Sequence, residues 1–172
     1  MHDGLNFILN VAAALLMGAA IGLERQFRQH TAGLRTNALV CLGAALFVSL
    51  SRLIDHEGSP TRIAAQVVSG IGFLGGGVIL REGFNVRGMN TAATLWCSGA
   101  VGVLAGSGFI LQAGVGTAAV LFVHLALRPV VRKIDAQSRV SQDQETLYRV
   151  KVVCQEQNEG VIRLILLRHV NS

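Results

Sequence analysis

Residues Leu5–Leu23 read LNFILNVAAALLMGAAIGL, nineteen consecutive positions without a charge, and Glu24 and Arg25 follow at once. A helix of about 20 residues at about 1.5 Å rise per residue crosses the ~30 Å hydrocarbon core of a bilayer. The stretch predicts a membrane-crossing helix with a charged collar at its end. Four more apolar stretches follow it: Ala38–Ile54, Ile63–Leu80, Thr91–Gly106 and Phe109–Leu127. The second and fourth spans are short, so each borrows flanking residues or sits where the bilayer thins. Pro60 precedes the third span, where a missing N–H costs little, and Pro129 follows the last, where it is expected to stop the helix.

Composition agrees. Of the 172 residues, 51% are hydrophobic and 15% charged, with a mean hydropathy of +0.50. A soluble domain carries about 25% charged residues to cover its surface. The arginines flank apolar spans instead of forming one basic face, which argues against nucleic acid despite a net charge of +5. Cys41, Cys97 and Cys154 have no CxxC spacing, so neither a disulfide framework nor a zinc site is expected. The N-terminus lacks a basic n-region and a small-residue cleavage site, and the first span is expected to be retained.

Orientation follows from lysine and arginine. With the N-terminus outside, the inner flanks hold nine (Arg25, Arg28, Arg35, Arg81, Arg87, Arg128, Arg132, Lys133, Arg139) and the outer flanks hold Arg52 and Arg62. The expected fold is an all-α membrane bundle of five transmembrane helices, N-out and C-in, over residues 1–134. Residues 135–172 form a cytoplasmic tail.

Small residues recur inside the spans at four-residue spacing, which keeps them on one helical face. They are Ala14, Gly18 and Gly22 in the first span and Thr94, Ser98, Gly102 and Gly106 in the fourth. The third holds Gly70, Gly72, Gly75 and Gly76 within the run from Ser69 to Gly77. Helices in lipid associate by close backbone approach, so these positions are expected to pack within the bundle. A helix broken at Gly75–Gly77 beside a polar cavity, or a face that docks another membrane protein, stays open.

The ten carboxylates all fall outside the membrane midplane: Asp3, Asp55 and Glu57 outside, Glu24 and Glu82 at the inner interface, and five in the tail. A Mg²⁺ site usually takes one or two carboxylates, so no metal and no cofactor is expected. There is no phosphate loop, Ser-His-Asp pattern or HExxH, and an enzyme is the least favoured class. Gln66, Gln112 and His124 are expected to act as structural groups. In the first inner loop Glu24 and Arg28 can pair at i,i+4, and Arg35 either marks topology or organises a polar cluster with Glu24 or Glu82. In the second, Asn90 stands where an N-cap would satisfy the amides that open the fourth helix.

The segments Gly22–Arg25, Ala32–Thr36, Ile63–Gln66, Ser69–Gly75 and Val86–Trp96 resemble the MgtC/SapB family, in order and across Leu5–Val153. The resemblance implies a multi-pass bacterial inner-membrane protein tied to growth in low magnesium and to virulence inside host phagocytes. It implies a regulator more than a transporter, with the membrane ATP synthase as a suggested target. The motif positions carried over are Glu24, Arg25, Arg35, Thr36, Gln66, Gly70, Gly72, Gly75, Arg87, Gly88, Asn90, Thr91 and Trp96. Gly76 stands where the family often has alanine. Family members end in a cytoplasmic ACT-like domain. Here Leu147–Gln155 alternates like its first strand and Val161–Arg168 reads as the start of its helix, an incomplete α+β tail expected to fray or need a partner.

Three functions are compatible with these residues. The first is a regulator that binds another integral membrane complex, with the lipid bilayer and further copies of this chain as other partners. Glu24, Arg25, Arg35, Thr36, Arg87, Asn90, Thr91 and Trp96 are its candidate contact residues. The second is a Mg²⁺ or other ion transporter, which would need Gly70–Gly77 to unwind. The third is a sensor built on Asp55, His56 and Glu57.

Overall fold

A computed structural model of the chain describes residues 2–54, 60–82, 85–141 and 160. It holds five helices and one small hairpin. These are α1 (His2–Phe27), α2 (Leu34–Ile54), α3 (Pro60–Gly77), β1 (Leu80–Glu82), β2 (Asn85–Arg87), α4 (Met89–Gly106) and α5 (Ile110–Ser141). The helical body lies within Met1–Lys133, one of two compact units, the other being Ile134–Ser172. The expected strand at Leu147–Gln155, the helix at Val161–Arg168 and the Asp55–Glu57 turn lie outside the described residues.

Among the described residues three helices are long and apolar enough to cross a membrane: Gly4–Phe27, Leu34–Leu53 and Ile110–Val131, with mean hydropathies of 1.9, 1.5 and 1.9. Five membrane-crossing helices were expected; the described residues hold five helices, of which these three qualify by length and composition. Helices α3 and α4 have 18 residues each, about 27 Å at 1.5 Å per residue.

The bundle is apolar outside and small or polar inside. Phe27, Phe73 and Leu111 are about four-fifths exposed, whereas Arg25, Asn37, Cys41 and Ser98 are among the most deeply buried side chains. Helix α2 is the centre of the packing. Gly18 and Gly22 of α1 press on it from one side, and a Cβ at Gly18 would lie 2.5 Å from Cys41 Cβ. Gly102 and Gly106 of α4 press from the other, where a Cβ at Gly102 would run into the Cys41 carbonyl oxygen. Ala14, Ile21, Cys41, Ala45, Val101, Ala105 and Ala113 fill the layer between. This is association through backbone proximity, as helices in lipid require.

Helix α3 departs from that expectation. It meets α4 through Ile71, whose side chain occupies the space a Cβ at Gly99 would need, and through Gly75 against Ala92. Gly70, Gly72 and Gly76 were expected to pack too. A Cβ at any of them would meet no described atom within 4 Å. The helix is unbroken up to Gly77, where it ends, so no mid-helix break occurs at Gly75–Gly77.

Two junctions have local causes. The β1–β2 hairpin, which sequence did not announce, pairs Leu80 with Arg87, Arg81 with Val86 and Glu82 with Asn85. It delivers the chain to Gly88, whose φ of 93° and whose approach to the Val78 carbonyl exclude a side chain. Gly88 is thus the N-cap of α4, without a side-chain cap. The expectation that Asn90 caps this helix is overturned, because Asn90 already lies inside it. At the other end Gly108 (φ 88°) closes a Schellman turn, with Phe109 N–H donating to Leu104 O at 3.0 Å and Gly108 N–H to Ala105 O at 2.9 Å. Pro129 does not stop α5, which runs on to Ser141. A proline removes one i→i−4 bond, and long apolar helices tolerate that loss.

A candidate polar site at the loop end of the bundle

The end of α1, the middle of α5 and the starts of α2 and α4 meet at one end of the bundle. Three linked contacts organise it. Arg25, 1% exposed, donates from Nη2 to Thr91 Oγ1 at 2.8 Å. Asn37, fully buried, donates from Nδ2 to the carbonyls of Ala32 (3.0 Å) and Gly33 (2.9 Å). Its Oδ1 accepts from Ser98 Oγ at 2.9 Å. One amide thereby fixes the α1–α2 loop, the first turn of α2 and the face of α4, with both of its hydrogens donated and its oxygen accepting from Ser98.

The third contact centres on His124 of α5. Its Nδ1 lies 3.1 Å from Glu24 Oε2 and its Nε2 lies 3.2 Å from Thr94 Oγ1. The other Glu24 oxygen faces Arg28 Nε one helical turn on. His30 in the loop feels this charge. Its imidazole is held below its ordinary pKa, first by partial burial and then by the Arg25 cation.

Arg25 has donors to spare. Its Nε and Nη1 are buried and reach no hydrogen-bond partner among the described residues. A buried guanidinium on a single neutral hydroxyl is costly, because desolvation is offset only when the remaining donors find acceptors.

The sequence-derived candidates divide. Glu24, Arg25 and Thr91 come together here, joined by Ser98, which was expected only to pack. Asn90 contributes its backbone carbonyl, which accepts from Thr94 Oγ1 at 2.7 Å, while its side chain is exposed. Arg35 does not join Glu24. It is exposed and lines a separate cavity of about 400 Å³ with Gln26, Thr31, Gly33, Leu34 and Thr36. Arg87 is exposed on β2 and Trp96 is half exposed on α4. Reading the sequence missed Asn37, Thr94 and His124. Thr91, Thr94 and Ser98 share a face at three- and four-residue spacing, the one signal that could have marked α4 as polar there.

A model of the MgtC family matches residues 11–133. The chain belongs to the MgtC family. It is 52% identical to "Protein MgtC" of Brucella abortus (strain 2308) over 94% of its own length and 68% of that protein's. It is 54% identical to "Protein MgtC" of Salmonella paratyphi A over 96% of its length and 71% of that protein's. A Synechocystis protein described as uncharacterized is 52% identical over 93% and 68%. No solved structure matches the chain. The family match spans α1 to α5 and so includes the whole polar cluster.

Proposed function

We propose that this MgtC-family chain is a regulator of the bacterial inner membrane that works by binding a transmembrane helix of another membrane complex. In this reading all five helices cross the bilayer, N-out and C-in. The family resemblance points to growth in low magnesium and survival inside host cells, and suggests the F-type ATP synthase as the complex modulated.

The observation that carries this reading is the open side of α3. Gly70, Gly72 and Gly76 have the small-residue character that membrane helices use to meet, yet none of the described residues stands across from them. Beside them a groove of about 540 Å³ runs between α2 and α3, walled by Leu39, Phe47, Val67, Ile71 and Leu74, with Gly43 and Gly70 as its thin points. A helix laid there would approach α3 as closely as α1 and α4 approach α2. The loop-end cluster would hold α1, α2, α4 and α5 rigid behind that face.

Photocrosslinkers at Gly72 and Gly76 in native membranes test it. The expected result is an adduct with one membrane complex that an exposed control position such as Leu16 does not give. Equal, diffuse labelling from both faces would remove the docking reading. Mg²⁺ flux into liposomes holding only the purified chain would replace it with transport.

A further inference from the structure

At the opposite end of the bundle from the Arg25–Asn37–His124 cluster lies a second polar pocket, of about 130 Å³. Its walls include Asn6, Phe7 and Asn10 of α1, Ser49 and Arg52 of α2, and Gly106 of α4. Ser49 donates its one hydroxyl hydrogen to the Gly106 carbonyl at 3.3 Å. Arg52 Nη1 approaches the same carbonyl at 3.5 Å, the outer limit of a hydrogen bond. These two contacts close the last turn of α4, and they account for Ser49.

They do not account for Asn10 or for most of Arg52. Asn10 is 7% exposed, and its amide makes no hydrogen bond to a described residue. An amide carries two N–H donors and an acceptor, and burying them without partners is costly. Arg52 Nε and Nη2 likewise donate to no described residue. The two groups converge. A Cβ at Gly108 would lie 3.1 Å from Arg52 Nη1 and 3.8 Å from Asn10 Nδ2, so guanidinium and amide flank one turn.

We propose that this pocket binds a phosphate-class oxyanion, held by the Asn10 and Asn6 amides from one side and the Arg52 guanidinium from the other. None of the lining residues is acidic, and a guanidinium presents its N–H groups in the geometry that phosphate oxygens accept. Several waters would fit the same volume and satisfy the amides. They would leave the cation without a counter-charge among the residues that line the pocket. The location adds to this. Asn6 is in the second turn of α1, Arg52 two residues from the end of α2, and Gly106 the last residue of α4. In a bilayer such helix ends lie at the level of the headgroups, within reach of a lipid phosphate and of free phosphate alike. Leu53, 63% exposed, borders the pocket and offers apolar surface to a lipid's glycerol and acyl carbons. The site does not depend on what α3 binds.

The test uses the full chain in nanodiscs of digalactosyldiacylglycerol, a bilayer lipid without phosphate, with ¹⁵N label in asparagine and arginine side chains. One arm titrates inorganic phosphate, and the other mixes phosphatidylglycerol into the bilayer. The expected result is a saturable shift of the Asn10 and Arg52 signals. Saturation by inorganic phosphate assigns a free ion, and saturation by phosphatidylglycerol alone assigns a lipid headgroup. Asn10→Ala, read at Arg52, should need at least tenfold more ligand, yet unfold at an unchanged temperature without ligand, since that amide holds nothing in the fold. Arg52→Gln, read at Asn10, should weaken binding as much, and Arg52→Lys less. If Arg52→Gln does not accumulate because α4 loses its closing contact, Asn10→Ala decides alone. No saturable shift in either arm, or saturation of Asn10→Ala at the same ligand concentration as the unaltered chain, would mean that the pocket holds only water.

Discussion

Two glycine faces in this molecule share a pattern and differ in outcome. On α1 and α4, Gly18, Gly22, Gly102 and Gly106 bring neighbouring backbone so close that no Cβ fits. On α3, Gly70, Gly72 and Gly76 face no described atom within 4 Å. Spacing declares which residues share a face, but it does not say what stands opposite. The first face is occupied by α2 of the same chain, and the second meets none of the described residues. The comparison also explains why α2 is the natural centre: it offers Ala38, Cys41, Ala44 and Ala45, small enough to be approached from both sides.

The strongest way to break this contrast is to fill the closed face. Gly102→Leu drives a branched side chain into the Cys41 carbonyl and Ala44, and overpacking of this kind costs about 1–3 kcal/mol even where side chains can shift. Here the obstacle is backbone, so the protein should fail to accumulate in membranes, as quantified by immunoblot against the unaltered chain. Normal abundance would mean that α2 and α4 are not in contact.

Next comes the polar connection that holds the closed face together. Asn37→Ala removes three hydrogen bonds at once and leaves the Ser98 hydroxyl and the Ala32 and Gly33 carbonyls to find other partners. A buried polar group left unsatisfied costs about 1–3 kcal/mol. Thermal unfolding in detergent should show a clear drop for this variant. Asn37→Ala, Ser98→Ala and their double variant should be non-additive, since they share the bond. A smaller loss is expected at the join between the two regions. Gly88→Ala puts a methyl at φ 93° and against the Val78 carbonyl, a strain of order 1–3 kcal/mol. The damage should stay local, seen as faster hydrogen exchange over residues 78–92 with the α1–α2 region unchanged.

How far the sequence could be read follows from the same contrast. The apolar stretches, the arginine collar and the small-residue faces are local patterns, and the helices and the α1–α2–α4 contacts follow from them. Pro129 misled because its local rule, one missing donor, removes a single hydrogen bond from a helix that continues to Ser141. Asn90 misled because Gly88, with its positive φ, had already started the helix. The site was half legible. Arg25 and Glu24 stood out as charges at a span's end. Asn37 with Ser98 and Glu24 with His124 are 61 and 100 residues apart, and no spacing rule connects such pairs before the helices are assembled.

The smallest expected effect on stability is the one that separates the two faces most sharply. Gly72→Leu makes the same substitution as Gly102→Leu, but in space where nothing is displaced. Leucine is a better helix former than glycine by about 0.5–1 kcal/mol, and membrane insertion favours it as well. Abundance and thermal stability should stay within about 0.5 kcal/mol of the unaltered chain, or rise slightly. If α3 receives a partner helix by backbone approach, the same leucine holds that helix off, and biological activity should fall without any loss of protein. A chain that carries Gly72→Leu and Gly76→Leu, is fully stable and is fully active would show that this face meets only lipid.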